Sequence, residues 1–309
     1  MANWTEADLP DQSGRTVLIT GANSGLGLRS AAVLAGRGAR VLLACRSPER
    51  GERALAEVLA GGGEAELLAL DLADLGSVRA AAAEVRERTG DALDVLMNNA
   101  GVMAPPLRRT ADGFESQFGT NHLGHAALTW LLLPALRTRP GARVVTLSSL
   151  AHEQGRLNFD DPNFERRRYR AWSGYAQSKL ANLLFALELD RRVRTEGLDL
   201  VSVAVHPGVT ATELSANMGR NRGSALLDAG GRVVNALFAQ RVEAGALPQL
   251  YAATAAGVRG GEYYGPDGFR GMRGHPALAR MTSAARDPRA GERLWELTAE
   301  LTGVAPEPS

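Results

Sequence analysis

Short, almost unbroken apolar runs alternate along the chain with longer segments of helical spacing. The runs at residues 17–20, 41–45, 67–70, 93–97, 144–147 and 201–205 are too short for helices. Their near-continuous apolarity suits strands covered on both faces. A seventh strand is expected around Glu262-Tyr263-Tyr264, and helical spacing marks residues 25–38, 48–60, 77–89, 113–136 and 175–196. Strand and helix in regular alternation predict an α/β fold: a doubly wound three-layer sandwich around a mostly parallel sheet of about seven strands. No linker, repeat or low-complexity block interrupts the rhythm. Residues 1–309 therefore read as a single domain, with a loosely held arm over about 1–13 and a tail over about 304–309.

Composition narrows the function classes. A 309-residue chain that is 45% hydrophobic and 22% charged can bury a large core, which excludes disorder as a whole-chain description. Lysine plus arginine (35) nearly cancels aspartate plus glutamate (34), so no electrostatic footprint for nucleic acid or an anionic membrane stands out. Small-molecule partners fit better. Cys45 is the only cysteine, which precludes an internal disulfide and fits a reducing compartment. The polar, acidic first residues do not resemble a cleaved signal, and the apolar stretches are broken well short of a membrane span. A cytoplasmic protein is expected.

The first strand runs into Thr20-Gly21-Ala22-Asn23-Ser24-Gly25-Leu26-Gly27 and then a helix. Glycines here let the backbone turn tightly, approach a pyrophosphate and pack helix against strand. The helix N-terminus offers unpaired N–H groups and a positive dipole end to the phosphates. Gly21, Asn23, Ser24, Gly25, Leu26 and Gly27 are therefore candidate dinucleotide contacts. An NAD site usually carries an acidic side chain about 20 residues beyond the glycines. This chain has Ala44-Cys45-Arg46-Ser47 at the end of its second strand. The Arg46 guanidinium suits a 2′-phosphate, which favours NADP(H) over NAD(H). The bland alternative is a solvated arginine, since Glu49, Arg50, Glu52 and Arg53 lie close by.

The glycine turn, with Asn98-Asn99-Ala100-Gly101, Ser148-Ser149 and Tyr175-Ala176-Gln177-Ser178-Lys179 in order behind it, resembles the short-chain dehydrogenase/reductase family over nearly the whole chain. That resemblance implies a Rossmann fold and hydride transfer between nicotinamide and a carbonyl or alcohol carbon. Asn121-His122-Leu123-Gly124-His125 and Ser148-Ser149-Leu150-Ala151-His152 look most like the retinol dehydrogenase and protochlorophyllide reductase branch. The family further implies that Asn121, Ser149, Tyr175 and Lys179 form the catalytic set. In it the Asn121 backbone serves a proton relay to the lysine. Asp71 and Leu72 are expected near the adenine, and Asn98, Ala100 and Gly101 near the adenosine half. Pro207, Gly208, Val209 and Thr212 are expected near the carboxamide.

The residues themselves support that chemistry. Tyr175 and Lys179 are four apart on a helix and share a face. A phenol with a pKa of about 10 is a poor base at neutral pH. An adjacent ammonium favours the phenolate, which makes the tyrosine a plausible proton donor or acceptor. Ser149 closes a buried strand at its carboxyl end, where ligands bind in open α/β sheets, while Ser148 alternates to the other face.

Weaker signals complete the reading. His122 and His125 could share a helix face, but helix packing accounts for them better than a metal site. The apolar run at 180–189 suits either a second subunit, giving a homodimer, or the chain's own sheet. Ser149 and Tyr175 lie 26 positions apart. The segment between them holds Arg166-Arg167-Arg168-Tyr169-Arg170 and is a candidate for the substrate entrance. Residues 213–240 mix glycine with apolar side chains, as a lid would. Two other classes compete: a non-catalytic dinucleotide-binding redox sensor, and an epimerase that uses its cofactor transiently. A sensor has no need of the serine, tyrosine and lysine.

Overall fold

The computed structural model describes residues 3–209 and 240–305. Its strands are β1 (Thr16–Thr20), β2 (Arg40–Cys45), β3 (Glu64–Ala69), β4 (Val95–Asn98), β5 (Ala142–Leu147), β6 (Leu200–Val205), β7 (Tyr263–Pro266) and β8 (Pro276–Leu278). The helices between and after them are α1 (Gly25–Ala35), α2 (Pro48–Ala60), α3 (Leu75–Thr89), α4 (Gly124–Arg137), α5 (Ala171–Thr195), α6 (Val242–Thr254) and α7 (Pro288–Thr302).

The strands form one sheet in the order β3-β2-β1-β4-β5-β6-β7-β8, parallel throughout except for the antiparallel β7–β8 pair. Side chains alternate across it with the period of two that a pleated strand imposes. Leu18, Leu42, Leu68, Leu96 and Val144 meet α3, α4, α5 and α7 on one face. Val17, Ile19, Val41, Leu43, Val95 and Met97 meet α1, α2 and α6 on the other. The three-layer Rossmann architecture is as expected, with eight strands rather than seven. The extra one, Pro276-Ala277-Leu278, is a short edge strand whose Leu278 is 58% exposed, so it has no apolar run to announce it.

The N-terminal arm differs from the loose one expected. Leu9 packs into the core and Gln12 is buried, while the Glu6 carboxylate accepts from Arg29 Nε at 2.9 Å. At the other end Val304 is buried, and Arg79 donates to the carbonyls of Thr302 and Gly303 at 3.0 and 3.2 Å. Residues 306–309 lie outside the described residues. The apolar run at 180–189 packs onto its own sheet and onto α7. Among the described residues, no helix is long and apolar enough to cross a membrane.

Candidate active site

β1 and β4 are neighbours in the sheet, but the chain leaves β1 toward β2 and leaves β4 toward β5. The loops at their carboxyl ends diverge and open a crevice, the usual ligand site of such sheets. A cleft of about 530 Å³ lies there. Its floor is the glycine turn. Gly21 has φ +67°, and a Cβ on it would stand 2.9 Å from the Ala100 Cβ. A Cβ on Gly27 would stand 2.5 Å from the Gly21 carbonyl oxygen and 2.6 Å from Asn99 Nδ2. Only glycine lets the first strand, the first helix and the β4 turn approach this closely. Asn23, Ser24, Gly25 and Leu26 line the same cleft, where α1 begins.

Arg46, Ser47 and Arg50 line the cleft beyond the end of β2, and Asp71 and Leu72 line it beyond β3. Among the described residues neither Arg46 nor Arg50 enters an ion pair, and the nearby Glu49 is engaged by Arg53 at 2.8 Å. Asp71 accepts the Ala73 amide at 3.0 Å through Oδ1. A glycine cradle at a helix N-terminus fits the pyrophosphate of a bound NAD(P)(H), and two guanidiniums stand beside it.

Tyr175 and Lys179 project from α5 into the lining of this cleft. Lys179 is the only lysine in the sequence, and it is 3% exposed. Its Nζ lies 5.6 Å from the Tyr175 ring centroid and donates to the Leu147 carbonyl at 3.1 Å. Asn182 Nδ2 donates to the same oxygen at 3.0 Å. Ser149 follows the end of β5, and its Oγ accepts the Ala151 amide at 3.2 Å. Ala151 in turn packs against Tyr175 and Ala176. Ser148 points the other way, donating to the Lys179 carbonyl at 2.7 Å. Asn121 sits in a π turn, Gly119–Leu123, that interrupts the expected helix at 113–136. Its Oδ1 accepts the Val102 amide at 2.8 Å, and its Nδ2 donates to the Val102 carbonyl and to Ser178 Oγ, both at 2.9 Å.

Several expected contacts lie elsewhere. Asn98 is fully buried inside β4 and donates to Thr129 Oγ1 at 2.9 Å, so it braces the sheet rather than lining the cleft. Its neighbour Asn99 lines it, with Ala100, Gly101, Val102 and Met103. Pro207, Gly208 and Val209 follow β6 without lining the cleft. There the Val209 amide donates to the Met272 carbonyl at 2.9 Å. Thr212 and residues 213–239 of the expected lid lie outside the described residues. Besides Asn99, the sequence reading missed Ser47, Arg50, Thr120 and Leu147 among others of the lining, and of its catalytic set Ser149 and Asn121 stand outside that lining.

The segment between Ser149 and Tyr175 is braced against α5. Asp161 accepts the amides of Glu165 and Arg167 at 2.8 and 3.1 Å. The Arg167 guanidinium lies 3.7 Å over the Phe164 ring and donates to Gln177 on α5. Tyr169 donates to the Pro105 carbonyl at 2.9 Å and accepts from Gln117 Nε2 at 2.8 Å.

Burial pushes the buried histidines below the ordinary imidazole range. Burial first, then the neighbouring His125, holds His122 down at about 3; a bond to Asn182 opposes this. His122 Nε2 meets Thr298 Oγ1 at 2.8 Å and its ring stacks on Phe118, which is helix packing as expected. Burial, with repulsion from His152, holds His206 at about 3 as well. Among the described residues no group of three or more His, Cys, Asp or Glu could hold a metal ion.

The chain belongs to the short-chain dehydrogenase/reductase family of oxidoreductases: the family model for short chain dehydrogenases matches residues 15–223. Within the family its similarity lies with the retinol dehydrogenase branch. It is 40% identical over 295 residues to human retinol dehydrogenase 13, covering 94% of this chain and 85% of that one. It is also 40% identical to human retinol dehydrogenase 12, over 97% of this chain and 89% of that one. An uncharacterized protein of Mycobacterium paratuberculosis has a crystal structure that superposes with a TM-score of 0.82 at 42% identity, covering 99% and 100% of the two chains. The Pseudomonas aeruginosa RhlG/NADP complex shares the fold, with a TM-score of 0.64 at 22% identity over 82% and 94% of the chains.

Proposed function

We propose that the protein transfers hydride between NADP(H) and the carbonyl or alcohol carbon of a small apolar substrate, with Tyr175 as the general acid and base. One observation carries this reading. A single cleft holds the glycine turn, two guanidiniums outside any described ion pair, and the Tyr175–Lys179 pair. Gly21, Asn23, Ser24, Gly25, Leu26 and Gly27 would cradle the pyrophosphate, with Asp71, Leu72, Ala100 and Gly101 beside the adenosine. Arg46, joined by Arg50, would hold the 2′-phosphate that distinguishes NADP from NAD. When bound, the nicotinamide supplies or receives the hydride.

The chain supplies the rest. The Tyr175 phenol gives its proton to the carbonyl oxygen being reduced, or takes one from an alcohol being oxidised. The Lys179 ammonium stabilises the phenolate left behind. The Ser149 hydroxyl holds the substrate oxygen, and the Asn121 backbone extends the proton path from Lys179. Pro207, Gly208, Val209 and Thr212 remain the proposed carboxamide contacts, although the first three stand outside the cleft lining. Retinol, named for the relatives, is an apolar alcohol, and Val102, Met103 and Leu147 give the cleft an apolar side. The lone buried Cys45 suits the cytoplasm.

The test is nicotinamide oxidation by the purified protein with NADPH and with NADH, across ketones, aldehydes, steroids and retinal. Tyr175→Phe is expected to lower turnover about 10²- to 10⁴-fold while still binding NADPH. Tight cofactor binding with no turnover on any substrate would favour the sensor reading instead.

A further inference from the structure

His125 is buried on α4, and both of its ring nitrogens are engaged. Nδ1 lies 2.9 Å from the main-chain carbonyl of Asn121. Nε2 lies 2.8 Å from Thr20 Oγ1. Thr20 ends β1 immediately before Gly21. Its hydroxyl accepts the amides of Asn99 and Ala100 at 3.0 and 2.9 Å, and its carbonyl accepts Asn99 Nδ2 at 2.7 Å. One imidazole thus spans from the π turn to the floor of the cofactor cleft.

The tautomer follows from the partners. A carbonyl only accepts, so Nδ1 carries the proton. Burial, helped by repulsion from the Lys179 ammonium and opposed by the Asn121 carbonyl, holds the ring neutral, at about 4. A neutral imidazole has one N–H, so Nε2 accepts, and the Thr20 hydroxyl donates to it. That leaves both Thr20 lone pairs for the Asn99 and Ala100 amides. The Met97 carbonyl also lies 3.3 Å from the Thr20 hydroxyl, a longer approach than the 2.8 Å to Nε2, so the hydroxyl proton goes to the imidazole. A histidine that merely filled space would not need this pattern.

We propose that His125 is a positioning residue that locks the Asn121 carbonyl, at the end of the proton path, to the glycine turn that seats the cofactor. The inference rests on the hydride-transfer reading above. Its two arms separate by substitution. In His125→Asn, an amide stands where Nδ1 stood and still serves Asn121, but it falls short of Thr20. In His125→Gln, the amide reaches the place of Nε2 and Thr20 but no longer serves the Asn121 carbonyl.

Turnover and NADPH affinity are read separately, the second by the fluorescence of bound NADPH, which needs no substrate. His125→Gln is expected to lower kcat about tenfold with a smaller change in Kd. His125→Asn is expected to raise the NADPH Kd about tenfold with a smaller change in kcat. Should His125→Asn fail to fold, Thr20→Val takes its place in the affinity arm and should raise Kd. Where both fold, their effects on Kd should be non-additive in a double-mutant cycle. Equal effects of Asn and Gln on both quantities, or additivity with Thr20→Val, overturn the positioning role and leave the parent reading intact. Turnover that survives Tyr175→Phe overturns both.

Discussion

In the proposed reading, selection between the two dinucleotides rests on a few atoms at the end of β2. Arg46 and Arg50 are both exposed and both line the cleft, so their attraction for a phosphate is screened by salt but not cancelled by a neighbouring carboxylate. Arg46→Ala is expected to raise the NADPH KM about tenfold and leave the NADH KM nearly unchanged, with the gap narrowing at high salt. Steady-state kinetics with both cofactors at two ionic strengths would check it. Arg46 was legible in the sequence because it closes an apolar run. Arg50 was not, although Ser47 at the cap and Pro48 at the first position fix the start of α2 and so bring Arg50 to the first turn. The paired asparagines show the opposite error. Strand alternation lets only one of Asn98 and Asn99 face the cleft, and the motif alone does not say which.

Apolar runs marked the central parallel strands, because a strand covered on both faces has few other ways to be written, whereas the edge strand β3 starts at Glu64, ahead of the run at 67–70, and is mostly not buried. Helices were less transparent. α6 is buried along most of its length and so lacks the polar face that marks a surface helix. α7 carried its signals in its ends, with Asp287 capping, Pro288 at the first position and Gly303 in the left-handed region. The break at Gly119–Leu123 was hidden within a continuous helical pattern, and its flanking glycines are the only clue. Each has a steric reason. A Cβ on Gly119 would meet Thr110 Cγ2 at 2.5 Å, and one on Gly124 would collide with the Leu72 carbonyl. Leu72 lines the cofactor cleft, so the collision is felt there. Gly124→Ala is expected to cost about 1–3 kcal/mol of stability and to weaken NADPH binding. A urea melt and a cofactor titration would read the two effects. Normal affinity in a destabilised variant would show that Leu72 yields without disturbing the cleft.

The molecule as a whole carries a built-in sensitivity to acid. His122, His125 and His206 titrate in the fold at about 3, about 4 and about 3, against an ordinary 6.5. Above pH 6.5 the folded and unfolded chains are both neutral at these positions. Below it the unfolded chain takes up protons that the fold refuses, so stability falls with pH until the folded rings also titrate. Each imidazole contributes up to about 1.4 kcal/mol per pH unit within that window. The urea midpoint should therefore fall steeply from pH 6.5 toward 5, and His122→Gln should flatten the fall by about one proton. A midpoint that does not move over that range would mean the three rings accept protons in place.

Lys179, proposed for the proton path, is also the only lysine and so a single address on the chain. An endoprotease that cuts only after lysine has one bond to find, and that bond lies within the 25-residue helix α5 with its side chain buried. Cutting requires that helix to open. When reclosing is faster than cleavage, the digestion rate measures the population of the opened state. A bound dinucleotide lowers that population and slows the cut. Two bands on a gel, 1–179 and 180–309, then report how full the cleft is, with no substrate in hand.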